Sequence, residues 1–160
     1  MRSQAWSLTS RRARLRDDAE DASSLVLPIL RYRVYSLGQL TATTEQIVVA
    51  DRIPVGGFAR LGLSLRQHRK NVGTGNNFQF FVYHTNPSGE DGQDFIDTAS
   101  PLGSTTTITG SGGAELLELT GGLAKLGSHP MVRVVLAVVA GGSVRPIFGI
   151  FSADLVLNAD

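Results

Sequence analysis

Apolar residues recur at every second position through most of this chain, and no other feature constrains its fold as much. Phe58 to Arg66 shows the pattern most cleanly. Leu61, Leu63 and Leu65 fall on one face of an extended chain, with Arg60, Ser64 and Arg66 on the other. Successive side chains of a strand point to opposite faces, so this alternation marks a strand with one face on a core. Ile29 to Tyr35 alternates Arg with Tyr and Val, and Gln46 to Ala50 is a short β-branched run. Phe78 to Thr85 places Phe78, Phe80, Val82 and His84 on one face and Gln79, Phe81 and Tyr83 on the other. It is apolar on both sides and reads as a central strand covered on both faces. Ser104 to Thr109 reads as a Thr-rich strand, and Ala114 to Thr120 as strand or helix. Met131 to Ala140 and Val144 to Leu157 are β-branched runs joined by Gly141-Gly142-Ser143, a hairpin pattern.

Turn signals separate these runs: Gly73 to Asn77, Pro87 to Gly92 and Gly110 to Gly113. Roughly eight strands, spaced about 8–12 residues apart, predict an all-β fold, an antiparallel β-sandwich or jelly roll. No tandem repeat is visible. No helix–strand alternation points to a parallel sheet. The 160 residues fit one domain of ordinary size, and the sandwich is assigned to residues 25–160.

Residues 1–24 differ in kind. Arg2, Arg11, Arg12, Arg14 and Arg16 are followed at once by Asp17, Asp18, Glu20 and Asp21, and large apolar residues are sparse. Such a segment cannot bury enough surface to offset its ordering entropy. A short helix from about Ser10 to Ala22 would set its Arg and acidic side chains at i,i+4 spacing. Two readings stand: a frayed terminus, or an extended arm that orders on a neighbouring subunit. In the second, Trp6 is the anchor and Arg11, Arg12, Arg14 and Arg16 contact the partner, because aromatic residues dominate interface hot spots. The acidic cluster argues against an organellar presequence, and no apolar stretch precedes a secretory cleavage site. No uncharged apolar run approaches the roughly 18–20 residues of a membrane span.

Chemistry is thinly represented. Fifteen Lys+Arg against 14 Asp+Glu leave a charge of +1, without the basic excess of a general nucleic-acid binder. The absence of cysteine excludes disulfides, thiol catalysis and Cys-based metal sites. His68, His84 and His129 are far apart and read as loop, strand and turn residues, so neither a metal nor another cofactor is expected. Glu90 to Asp97 lacks the alternating oxygen ligands of an EF-hand and reads as a solvated acidic loop. Glu115 and Glu118 would point to opposite faces of a strand, unlike the facing acids of a glycosidase. No Gly-x-Ser-x-Gly elbow occurs, and Gly110 to Gly113 lacks the Lys of a phosphate loop. Arg66, His68, Arg69 and Lys70 read as a solvated basic loop without an aromatic platform. No enzyme activity is expected.

From Gly57 to about Leu157 the chain resembles a type of small head or virion protein of tailed phages. The resemblance is carried by Gly57-Phe58-Ala59-Arg60-Leu61-Gly62-Leu63-Ser64-Leu65, then by Phe80 to Gly92, ending near Asp94-Phe95-Ile96-Asp97. Val132 to Val135 and a Gly-Gly turn into Pro146-Ile147-Phe148-Gly149-Ile150-Phe151 complete it. These are strand-and-turn rhythms rather than a catalytic signature, and the residues before Gly57 lie outside them. The resemblance implies a non-enzymatic structural protein, a capsid decoration or cementing subunit that binds the assembled shell and bridges neighbouring capsomers. It implies a homo-oligomer, a trimer on family grounds, located at the capsid surface of the virion and made in the host cytoplasm. The implied partners are the major capsid protein or other virion proteins, with no membrane and no specific nucleic acid. Three alternatives remain. One is a tail or neck structural protein. Another is a glycan-binding module using Trp6, Tyr32, Tyr35 or Tyr83 as stacking faces. The third is a jelly-roll enzyme such as a cupin, which needs histidines and a carboxylate closely spaced on one strand pair, a spacing not found here.

Overall fold

A computed structural model describes residues 24–37, 44–73, 75–87, 94–96, 101–126, 131–139 and 147–159. The expected arm, with Trp6, Arg11, Arg12, Arg14 and Arg16, lies outside the described residues, as do His129 and most of the acidic run. Eleven strands form among the described residues. They are β1 (Ser24–Leu37), β2 (Thr44–Pro54), β3 (Arg60–Asn71), β4 (Asn77–Pro87), β5 (Asp94–Ile96), β6 (Gly103–Ser104), β7 (Ser111–Gly112), β8 (Glu115–Glu118), β9 (Ala124–Lys125), β10 (Met131–Val139) and β11 (Ile147–Asn158).

The strands build two antiparallel sheets. One runs β1-β11-β3, with β7, β8 and β9 sharing the far edge of β3; the other runs β2-β10-β4, with β5 and β6 on the far edge of β4. The chain changes sheet at each step from β1 to β4, and again from β10 to β11. With β8 and β6 as fourth strands, the order β1-β11-β3-β8 faces β2-β10-β4-β6. That is a jelly roll, the more specific of the two architectures expected from the strand count.

The core lies between the sheets, where period two placed it. Leu61, Leu63 and Leu65 of β3 are at most 2% exposed, and Phe78, Phe80 and Val82 of β4 and Leu155 and Leu157 of β11 are fully buried. Phe151 sits at the centre, edge-on to Phe80 at 5.1 Å and to Phe78 at 6.0 Å between ring centroids. Its ring lies over the backbone of Gly149, where a methyl group would collide with it. β4 is a central strand, as its two apolar faces predicted: even Tyr83, on the outer side, is 4% exposed.

Four local expectations are corrected. β10 and β11 are not a hairpin. Each is the middle strand of a different sheet, and only a connection that crosses between the sheets lets both be flanked on two sides. Ser104 to Thr109 does not continue as a strand. It holds the end of β6 and two isolated bridges, Thr105 to Leu119 and Ile108 to Phe78, with only Thr105 and Ile108 buried. Thr105 Oγ1 accepts the Phe80 N–H and donates to the Thr106 carbonyl, which turns the chain away from the ladder. Asp94–Ile96, expected in a loop, pairs with Thr85–Pro87. Arg66 to Lys70 is not a loop but the second half of β3.

β1 and β2, each at one edge of its sheet, carry the same irregularity. β1 has register shifts at Ile29 and at Arg31-Tyr32, and β2 has them at Val49 and Asp51-Arg52. In each second bulge the latter residue takes a left-handed backbone, φ 47° at Tyr32 and 52° at Arg52. In each, the former residue makes an ion pair with the adjacent central strand. Arg31 Nη2 lies 2.7 Å from Asp154 Oδ1, and Asp51 accepts Arg133 Nε at 2.6 Å and Nη2 at 2.7 Å. Bulges bend and twist a strand, and with Pro28 they stop a long edge from templating another strand.

The Asp51 pair makes stability pH-dependent. The Arg133 hydrogen bonds, only partly offset by burial, hold the Asp51 carboxyl below its ordinary 3.8. A carboxyl whose folded pKa is depressed contributes stability above its unfolded pKa and loses it as pH falls through the folded value. Asp51→Asn is therefore expected to destabilise at pH 6 by well under 1 kcal/mol, since the pair is partly exposed and screened. Acid titration monitored by circular dichroism should show that deficit begin to shrink near pH 3.8 and vanish at lower pH, once the depressed folded value is passed. A deficit that persists at low pH would assign the effect to packing.

Candidate functional site

Alternation along β11 fixes which side chains face outward on the β1-β11-β3 sheet: Phe148, Ile150, Ser152, Asp154, Val156 and Asn158, all half-buried. Val34 lies opposite Ile150, and Val26 opposite Val156; Leu116 of β8 lies opposite Arg66 of β3. Among the described residues, the exposed large apolar side chains are Val26, Tyr32, Val34, Val48, Leu116 and Leu123. All but Val48, which lies on the other sheet, belong to this one outer face. Exposed apolar side chains gathered on one face make it a candidate interaction surface.

Tyr32 is the centre of this face. The β1 bulge at Arg31-Tyr32 and a second bulge at His68 of β3 flank Ser152 from either side. The Tyr32 N–H donates to Ser152 Oγ at 3.0 Å, and His68 Nε2 lies 2.8 Å from the same oxygen. The Tyr32 ring stacks on the His68 imidazole, with centroids 4.0 Å apart and planes 17° apart. Three adjacent strands thus hold one aromatic side chain flat while it stays 70% exposed. A bulky residue with positive φ is strained by about 1–3 kcal/mol and persists only where its surroundings over-determine it. The Arg31–Asp154 pair lies beside it, and Arg66 is in register with Ser152.

The Ser152–His68 pair has the hydrogen bond of a nucleophile and base. It lies on an open sheet face, and Ser152 Oγ is already engaged by a backbone N–H, so the geometry favours holding Tyr32 over chemistry. Among the described residues no group of three or more His, Asp or Glu side chains converges as a metal site would require. His68 and His84 belong to different sheets. Glu115 and Glu118 flank β3 on opposite faces; Glu115 lies 3.6 Å from Lys70 Nζ. Of the aromatic residues named as stacking faces, Tyr83 is buried and Tyr35 half-buried. Burial raises the pKa of both hydroxyls, Arg33 opposing it at Tyr35. Tyr32 alone among the described tyrosines is presented.

Two hollows remain. A cleft of about 400 Å³ opens between the edge strands, lined by Arg31, Arg33, Tyr35 and apolar residues of β1 and β2, without a carboxylate. A groove of about 220 Å³ lies on the outer face near Val26, walled by Leu63, Leu119, Leu123 and Val156, with Gly62 and Gly122 bare and Ser64 and Glu118 at its rim.

No protein-family model matches this sequence, and no curated protein matches it. Among solved structures the chain is similar to particles of infectious bursal disease virus. For the T13 viral particle the TM-score is 0.37 at 13% identity, over 84% of this chain and 38% of that one. For the Gt strain it is 0.38 at 15%, over 84% and 40%, and for the VP2 subviral particle 0.32 at 14%, over 84% and 40%. The chain spans about two-fifths of the length of each of those viral chains. At these TM-scores and identities the likeness shows neither a shared fold nor a shared function. These are structures of that virus and not of a tailed phage.

Sequence reasoning missed the Tyr32–His68–Ser152 cluster. The one available signal was the break in alternation after Gln67, where His68 interrupts the row begun at Leu61.

Proposed function

We propose that this chain is a non-enzymatic structural protein that packs into a larger protein assembly through the outer face of its β1-β11-β3 sheet. The observation that carries this is the collection of exposed apolar side chains on that one face, around a Tyr32 ring held in place before any partner arrives. Pre-organised aromatic residues at the centre of a patch are what interface hot spots are made of. The blunted edges of β1 and β2 leave the face as the more available mode of association.

The finer reading is a virion protein that decorates or cements a capsid, bridging neighbouring capsomers. The head-protein resemblance from Gly57 to Leu157 supports it, as does a jelly roll, an architecture used by capsid domains as well as by lectins and cupins. Its partners would be the major capsid protein or other virion proteins, beside further copies of itself as a homo-oligomer, with residues 1–24 as an arm that reaches neighbours. Its place would be the virion at the capsid surface, after synthesis in the host cytoplasm. Binding only to the assembled lattice, it would stabilise the shell by mass action.

Gradient sedimentation of particles from the source lysate, with copies counted by quantitative mass spectrometry, tests this. A fixed, symmetric ratio to the shell protein is the expected result, while a few copies per particle would move the chain to a neck or tail. Its absence from particles would overturn the virion reading.

A further inference from the structure

The groove beside Gly62 is too small for an ordinary ligand. Small-molecule sites run to about 300–1,000 Å³, and this groove holds about 220 Å³. It has the size for one large side chain. Its walls are Leu63, Leu119, Leu123 and Val156, and it exists because Gly62 carries no Cβ: a methyl there would fall 2.8 Å from Leu123 Cδ2. Leu123 itself is 42% exposed.

The chain enters the fold at the same place. Ser24 pairs with Asn158, and Val26 lies opposite Val156, one wall of the groove. The first described residue, Ser24, therefore lies two residues along the strands from the groove's rung and two strand spacings, about 10 Å, across the sheet from Gly62. Residues 1–23 carry few large apolar side chains, Met1, Trp6, Leu8 and Leu15, and Trp6 is the largest. Residues 7–23 span at most roughly 60 Å when extended, several times the distance needed. A tether of that length presents its end at an effective concentration of about millimolar.

Charge agrees with this path. Asp17, Asp18, Glu20 and Asp21 come just before Ser24 in the sequence. At that end of the sheet the exposed Arg60 and Lys125 lie opposite each other, with Arg60 also opposite Asn158. Past the acidic run come Arg11, Arg12, Arg14 and Arg16, and Glu118 stands at the rim of the groove.

We propose that this groove is the docking site for residues 1–23 of the same chain, with the Trp6 indole filling it. The contact belongs to the free protein and does not depend on the shell reading. It covers the Val26 end of the outer face and leaves Tyr32, about 13 Å away along β11, open to a partner.

Trp6 is the chain's single tryptophan, so intrinsic fluorescence reports on it alone. In the full-length protein its emission is expected to be blue-shifted from that of N-acetyltryptophanamide, to resist acrylamide quenching and to stay unchanged on dilution. Leu123→Asp, at a partly exposed position, should move emission to the free-indole wavelength with the circular dichroism spectrum unchanged. Leu116→Asp, on the same face away from the groove, should leave emission as it was. Free-indole emission in the unaltered protein would overturn the proposal, as would blue emission that survives Leu123→Asp. A blue shift that appears only as concentration rises would overturn same-chain docking in favour of a second copy.

Discussion

Phe151→Ala is expected to cost about 3–5 kcal/mol, the usual penalty for truncating a fully buried aromatic residue. A domain of this size has only about 5–15 kcal/mol in total. Three contributions are lost together. The ring is fully buried, it makes edge-on contacts with Phe78 and Phe80, and Tyr35 packs against it at 6.3 Å. It also ties the sheets together, since Phe151 belongs to one and Phe78 and Phe80 to the other. The cavity left behind would lie where neither sheet can close without moving its neighbours. Gly149→Ala tests the same contact from the opposite direction. A methyl there runs into the Phe151 ring and lies 3.1 Å from Phe78, so overpacking of about 1–3 kcal/mol is expected. The two changes should not be additive. With the ring gone, the added methyl has room, and a double-mutant cycle in urea should show coupling of about 1 kcal/mol or more. Simple additivity would contradict the packing described.

Tyr32→Ala is expected to weaken binding to the particle by roughly 30- to 1,000-fold, about 2–4 kcal/mol, as truncation of a central hot spot does. The fold should survive, because the ring is exposed. Tyr32→Gly separates the ring from the backbone that carries it. The left-handed conformation at φ 47° costs a non-glycine residue about 1–2 kcal/mol, and glycine adopts it freely. The Gly variant should therefore be more stable than the Ala variant by about 1 kcal/mol in denaturant unfolding, yet bind no better. A residue kept at a strained position for its side chain has this signature. If both variants sedimented with particles as the unaltered protein does, Tyr32 would be no anchor.

How much of this was legible in the sequence depends on which forces act locally. Leu61, Leu63 and Leu65, and the two-faced row from Phe78 to Tyr83, announced their strands because burial repeats every second residue and needs no knowledge of partners. The β10–β11 connection did not, because Gly141-Gly142-Ser143 suits a hairpin as well as a crossing between sheets. The choice is made by which strands flank each run, and that is a long-range matter. The face around Tyr32 was hidden for a related reason. Its bulges arise from register against Ser152, a residue 120 positions away, and left-handed Tyr32 and Arg52 leave no mark in residue type. Arg66 to Lys70 looked like a loop because it is charged, and charge is also what the outward side of a strand carries. The matching bulges of β1 and β2 escaped notice as a repeat because Arg31-Tyr32 and Asp51-Arg52 share backbone shape and ion-pair logic but no sequence.

The central claim, that the outer face of the β1-β11-β3 sheet is where this protein meets its assembly, is tested most directly by hydroxyl-radical footprinting of the free and the particle-bound chain. Tyr32, Val34 and Leu116 are exposed on that face, and Val48 is exposed on the opposite sheet as an internal reference. The account predicts that labelling of Tyr32, Val34 and Leu116 falls sharply on assembly while that of Val48 is unchanged. Protection of Val48 with Tyr32 still fully labelled would contradict it.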